Sequence, residues 1–368
     1  MSKKFIYVAE LLLPTNNAYS IHVLKMCDNS IYHKYKCNLI IPQNNCKFKL
    51  IKKNYNLRNN FKIFSLFKKI NRLNFILRII FGIYAAFKIR KEKPNLIITR
   101  SFITSFILSL IKYHHFLEIH GDIKSFTRFI FLKLNFINSK FIIKNIFITK
   151  NLAQNYHLKK SKYIILPDAV DKKDFSKFKF RPIKKVENFY YTGSFFKGKG
   201  IELIIKISKI FTNKNFYIYG NKKFLKKKKL PKNIFAYNYV TYNKIPKILN
   251  NADVLLMPYS ANVFYNSNAK DNIGRFHSPL KMFDYLASGK LILSSNQKVL
   301  KEILIDKSNC IIVKKNNIKS WIIAIKYAIN NLPRINTIAK NALNDSNKFT
   351  WINRVKIISN INLNYVSK

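Results

Sequence analysis

Short apolar runs alternate with longer mixed segments along the whole chain. Phe5-Ile6-Tyr7-Val8, Leu39-Ile40-Ile41-Pro42 and Leu96-Ile97-Ile98-Thr99 have the length and continuity of strands buried on both faces. Phe116-Leu117-Glu118-Ile119-His120-Gly121, Ile146–Thr149 and Tyr163–Leu166 continue the series. Leu11–Pro14 reads as a loop, and a helix follows over Ala18–Met26. After a basic, strand-poor stretch over Phe175–Lys185 the pattern restarts. Phe189–Gly193 and Asn215–Gly220 are strand-to-glycine turns, a helix opens near Gly200, and Val254–Pro258 and Leu291–Ser294 are further buried strands. Strands alternating with helices predict parallel sheets in two consecutive doubly wound α/β halves. The expected division is 1–180, 181–345 and a final helix over 346–368 that returns to the first domain. Ligands of such folds sit at the carboxyl ends of the strands, which points to a cleft between the halves.

The segment His277–Lys290 is the richest in chemistry. Ser278 suits a helix N-cap and Pro279 the first helical position, where no N–H is required. A helix starting there aims free N–H groups and the positive end of its dipole outward, and Lys281 adds a full charge in the first turn. Asp284 stands one turn after Leu280, and Gly289 can close the helix in a left-handed conformation. The pattern suits a phosphate beside hydroxyl groups, as in a nucleotide sugar. The plain alternative is an amphipathic helix that buries Leu280, Phe283 and Leu286.

Composition narrows the classes. A hydrophobic content of 48% argues for a folded protein, and 368 residues suffice for two cores. Cys27, Cys37, Cys46 and Cys310 show no CxxC spacing, which favours reduced thiols in a cytoplasmic protein. Met1-Ser2-Lys3-Lys4 runs into a strand without a cleavage pattern, so no signal peptide is expected. Ser101–Ile111 is too short to span a bilayer and Arg78 interrupts Leu73–Phe87, so no membrane-spanning helix is expected either.

The net charge of +52 suits a polyanionic partner, but it also suits codon drift. Lys, Asn, Ile, Phe and Tyr are abundant together, and the lysines are spread along the whole chain. Phe61–Lys93 and Phe126–Phe147 mix apolar and basic residues as a helix on an anionic membrane surface would, or as one packed on a sheet would. The run Lys222–Lys229 reads as a solvated loop. No zinc-finger spacing, RNP-like strand or helix-turn-helix pattern appears, so a specific nucleic-acid partner is not expected.

Taken in order, these segments resemble a family 4-type (group 1) retaining glycosyltransferase of the GT-B fold, with two Rossmann-like domains. Ser278–Gly289 is similar to that family's donor-site helix. Tyr191-Thr192-Gly193-Ser194 with Lys197-Gly198-Lys199-Gly200 is similar to its diphosphate loop. Leu166–Asp171 with Phe175 resembles the passage into the second domain, Pro14–Met26 the loop and helix under the transferred sugar, Glu118-Ile119-His120 the active-site histidine segment, and Thr350–Arg354 the last helix. The resemblance implies Lys199, Lys281, Ser278 and Leu280 at the donor diphosphate, Asp284 at the ribose, and His120 as the catalytic residue. Asn17, Ser20 and Gly193 are candidates near the sugar. Glu118 is expected to orient its own loop, and His22 and His277 to pack or lie at the surface.

Two departures stand out. The family's paired glutamates correspond to Phe276 and Asp284, and its glycine-rich first turn to Asn16–Ser20. The activity implied is transfer of a sugar from a UDP- or GDP-type donor, with retention, to a lipid-linked or surface-polysaccharide acceptor. It would need no metal and no cofactor, and would take place in the cytoplasm, peripherally at the inner face of the plasma membrane. A basic polyanion binder and an inactive scaffold of the same fold are the alternatives.

Overall fold

The computed structural model describes residues 3–366 except 16, 124, 227, 265–271 and 315–316. Asn16, the start of the turn that departs from the family pattern, therefore lies outside the described residues, as do Met1, Ser2 and Lys227 of the lysine run. The chain divides into two units, Met1–Ala169 with Trp351–Lys368, and Val170–Thr350.

The first unit holds β1 (Lys3–Val8), β2 (Leu12–Leu13), β3 (Tyr35–Asn44), β4 (Lys62–Phe67), β5 (Leu96–Thr99), β6 (His115–Ile119), β7 (Ile142–Phe147) and β8 (Tyr163–Ile165). Their order is β2-β3-β1-β5-β6-β7-β8, with β4 on β3, and all pairings are parallel. In the second unit β9 (Asn188–Thr192), β10 (Asn215–Tyr219), β11 (Ile234–Tyr237), β12 (Val254–Met257), β13 (Leu291–Ser295) and β14 (Ile311–Val313) form a parallel sheet ordered β11-β10-β9-β12-β13-β14. Phe5–Val8, Leu96–Thr99 and Val254–Met257 are buried at every position, because helices cover both faces of a parallel sheet. Strand order reverses at β1/β5 in one unit and at β9/β12 in the other, and ligand crevices of such sheets form at these places.

Several local expectations give way. Phe61–Lys93 is not one amphipathic helix: Lys62–Phe67 pairs with β3, and only Phe75–Glu92 is helical, capped by Asn74, which accepts the Leu77 N–H at 2.9 Å. Phe126–Phe147 breaks into short turns of helix, Ser125–Arg128, Phe129–Lys133 and Phe136–Asn138, before β7 begins. β7 ends at Phe147, and Thr149 caps the next helix by accepting the Leu152 N–H. The lysine run opens with a helical turn over Lys222–Leu225 that buries Leu225, and Lys228 pairs with Glu202 at 3.1 Å. It is therefore partly structured.

Candidate active site

At the β9/β12 reversal two lysines converge, with no counter-ion among the described residues. β9 hands over to Gly193 at φ 132°, where a Cβ would stand 2.7 Å from Lys281 Nζ; the glycine makes room for the lysine. Gly200, at φ 84°, opens the helix Ile201–Ser208, and a Cβ there would overlap the Pro258 carbonyl, so the Lys199 turn lies against the end of β12. Lys281 Nζ sits 3.6 Å from the Tyr191 ring centre and 5.6 Å from that of Tyr259. Lys199 Nζ is 5.2 Å from the Tyr259 ring centre. Lys281 Nζ is buried and makes no hydrogen bond among the described residues. Burial, then the like charge of Lys199, push Lys281 well below the usual lysine range, and burial brings Lys199 to about 8. Two ammonium groups held on aromatic faces, with no acid paired to either among the described residues, suit an anion.

The helix beside them runs Leu280–Ser288. Pro279, with ψ 121°, is its cap, so Ser278 is not; the extended proline makes the helix start one residue later than the local rule suggests. Pro279 itself offers no side-chain cap to the first-turn N–H groups, and a helix N-terminus suits an anion. Gly289 closes the helix at φ 64°, as expected. Phe283 and Leu286 are buried, and the Tyr285 hydroxyl accepts the Thr192 N–H at 2.9 Å, fixing the helix to the end of β9.

Asp284 is not a solvent-facing residue. It is 5% exposed and its Oδ1 accepts the Tyr242 hydroxyl at 2.8 Å, so it anchors the helix. His277 is buried beside the lysines, not at the surface: its ring lies 5.0 Å from that of Tyr259 and its Nδ1 3.1 Å from the Ile273 carbonyl oxygen. Burial and the Lys199 charge bring it to about 3, so the imidazole is neutral.

In the first unit a buried network gathers around Glu118. Its Oε2 accepts the Tyr7 hydroxyl and its Oε1 the Arg354 guanidinium. His120 Nε2 lies 3.0 Å from Oε1, and His22 Nε2 lies 2.8 Å from it but out of hydrogen-bond alignment. His22 Nδ1 is 2.6 Å from Asp168 Oδ1. The His22 ring meets the rings of His120 and Trp351 edge-on, at 4.8 and 4.9 Å. Burial raises Glu118, but His22 and Arg354 outweigh it and hold the carboxyl well below its usual range. At Asp168 burial is likewise outweighed, chiefly by the hydrogen bond from His22. Burial, then the Arg100 charge, lower His120 to about 3. An ionised Glu118 can only accept, so the His120 proton sits on Nε2 and Nδ1 presents a lone pair on a side chain 19% exposed.

The network corrects three expectations. Glu118 ties together β1, β6, the helix Ala18–Asn29 and the last helix, rather than its own loop alone. His22 lies inside that network and is not a packing residue. Asn17 and Ser20 serve the helix start: Asn17 Oδ1 accepts the Ser20 N–H at 2.9 Å, while Ser20 is fully buried with its hydroxyl donated to the Asn17 carbonyl. Ser20 is therefore withdrawn as a sugar contact. Tyr7, Asp168, Tyr191, Tyr259 and Arg354 carry the two sites without being candidates in the sequence, although Asp168, Tyr191 and Arg354 lie in segments that carry the family resemblance. His22, Glu118 and His120 bring ligand atoms within 4.8 Å of one another, but Arg354 on the same carboxylate oxygen and the Arg100 charge oppose a metal cation there.

Residues 172–345 match the family described as glycosyl transferases group 1. No curated protein matches the chain. A glycosyltransferase from Rickettsia africae ESF-5 superposes with a TM-score of 0.73 at 13% identity, over 98% of this chain and 99% of that one. Sucrose-phosphate synthase from Thermosynechococcus elongatus gives 0.74 at 12% identity, over 99% and 100%. Anabaena HepE in complex with UDP-glucose gives 0.69 at 9% identity, over 97% and 98%. The lysine-bearing unit of this chain matches the group 1 glycosyl transferases, and the chain has the GT-B fold.

Proposed function

We infer that the chain transfers a sugar, with retention and without a metal, from a nucleoside-diphosphate sugar to a glycan or glycolipid acceptor. The observation that carries this reading is the pair Lys199 and Lys281, both set on the face of Tyr259 with no acid paired to either among the described residues. The departing diphosphate needs fixed positive charge, and these two groups with the helix N-terminus at Leu280 supply it. The C1–O bond to the diphosphate breaks with its electron pair going to phosphate oxygen. An acceptor hydroxyl oxygen bonds C1 on the face just vacated, and its proton passes to the departing phosphate. Asp284 is assigned to the ribose. His120 is assigned to a sugar or acceptor hydroxyl, through the Nδ1 lone pair. HepE with UDP-glucose, and WaaG of lipopolysaccharide biosynthesis, share the fold and support this donor and acceptor class.

The test is release of nucleoside diphosphate from UDP-, GDP- and ADP-sugars, with and without a total glycolipid extract. His120→Ala is expected to lower turnover by about 100-fold or more while donor binding persists. Unchanged turnover in that variant would remove His120 from the reaction.

Affinity should also depend on pH. A lysine is charged below its pKa, and Lys199 titrates at about 8. Raising the pH from 7 to 9 should therefore weaken nucleoside-diphosphate binding, with little change between 6.5 and 7. Calorimetric titration across this range reads the effect, and a flat profile would exclude Lys199 as a ligand of the phosphates.

A further inference from the structure

The helix Phe75–Glu92 is apolar on both sides. Its inner side, Phe81, Ala85, Ala86 and Ile89, packs into a core with Ile6, Val8, Ile40 and Ile97. Its outer side carries Ile76, Ile80, Ile83 and Phe87, spaced four, three and four residues apart and so aligned in one stripe. A surface helix ordinarily turns polar residues outward. Here Ile76 is 66%, Ile83 58% and Phe87 63% exposed. The stripe continues beyond the helix: Phe75 meets Phe126 edge-on at 5.8 Å, and Phe126 is itself 57% exposed with Phe129 beside it in sequence at 51%. A contiguous apolar patch of this kind marks an interaction surface.

Charge indicates what covers it. Lys68, Lys69 and Arg72 are exposed before the helix, and Arg90 and Lys91 at its end. Within 61–93 the one acid is Glu92, which pairs with Lys4 at 3.5 Å, and no acid occurs between Ile123 and Pro167. An apolar stripe flanked by lysine and arginine suits the headgroup–acyl boundary of an anionic bilayer. A second copy of the chain, also carrying +52, would be repelled. No described helix is long and apolar enough to cross a membrane, so the contact is with one leaflet.

We propose that the outer stripe of Phe75–Glu92, with Phe126 and Phe129, seats this protein on an anionic phospholipid surface. The helix would lie in the interface plane, its apolar side chains inserted and its basic ends on the headgroups. The proposal is independent of the sugar-transfer reading, because the surface is read without any nucleotide.

The test is sedimentation of the full chain with vesicles of phosphatidylcholine alone and of phosphatidylcholine with 30% phosphatidylglycerol. Wild type is expected to pellet with the anionic vesicles, and less so in 0.5 M salt. The triple variant Ile76→Ser, Ile83→Ser, Phe87→Ser is expected to lose at least tenfold in partitioning while its melting temperature and nucleotide binding hold, since all three side chains face outward. Equal partitioning of wild type and variant would overturn the proposal by leaving charge alone in control. Absence of wild-type binding to either vesicle would overturn it as well. So would a wild-type dimer in sedimentation velocity that the triple variant converts to monomer, because the stripe would then be a contact between copies.

Discussion

Arg354→Met is expected to destabilise the first unit by about 3–5 kcal/mol, a fall in melting temperature of roughly 10 °C. The arginine lies on the last helix, yet its guanidinium bonds Glu118 on β6 and the backbone carbonyls of Leu166 and Pro167. Methionine keeps much of the volume, so the cost comes from what is left behind. Glu118 stays buried with a charge that has lost one of its two main charge partners, and two carbonyls lose a donor. A change under 2 °C would mean that the network contributes nothing to holding the last helix.

Acid should expose the same network. The folded Glu118 carboxyl titrates below its ordinary value of 4.5, so its contribution is complete above that pH and is lost as the pH falls through the depressed folded value. His120 and His277, both near 3 when folded and 6.5 when unfolded, act earlier. Between those values the unfolded chain binds more protons, so acidification costs up to about 1.4 kcal/mol per pH unit for each histidine, less for the partly exposed His120.

Lys281→Met is expected to act in two opposite directions. Without ligand the variant should be as stable as wild type or more so, because it replaces a buried, unpartnered ammonium with an apolar chain of similar length. Transfer should fall about 10²–10³-fold, the usual effect of removing one fixed donor to developing charge. Parallel melting curves and turnover measurements separate this from a folding defect, which would move both downward. A variant that melts lower and retains turnover would place Lys281 in the scaffold instead.

The strands that position both sites were legible because they are buried on both faces. Phe5–Val8, Leu96–Thr99 and Val254–Met257 read as unbroken apolar runs and lie in the structure nearly as read. β4 and β11 are not legible because they are edge strands with mixed exposure and no such run, and β14 because its apolar run is only three residues long. Gly193, Lys281 and Gly289 are legible from turn and helix-end chemistry, which is local, whereas Lys199 comes from the family resemblance alone. His22 was misjudged because its partner Asp168 is 146 positions away, and Arg354 is 236 positions from Glu118; no window along the chain contains such pairs. Ser278 failed as a cap because Pro279 took that place. The outer stripe of Phe75–Glu92 was hidden for another reason. A helix apolar all round does not say which side meets the sheet.

The central claim is that Lys199 and Lys281 form a receptor for a nucleoside diphosphate. The most direct measurement is calorimetric titration of UDP, GDP and ADP into the folded protein at pH 7, repeated on Lys281→Met. The account predicts saturable one-to-one binding of at least one nucleotide, weakened about 100-fold or more in the variant. Flat titrations with all three, or equal affinity in wild type and variant, would contradict it.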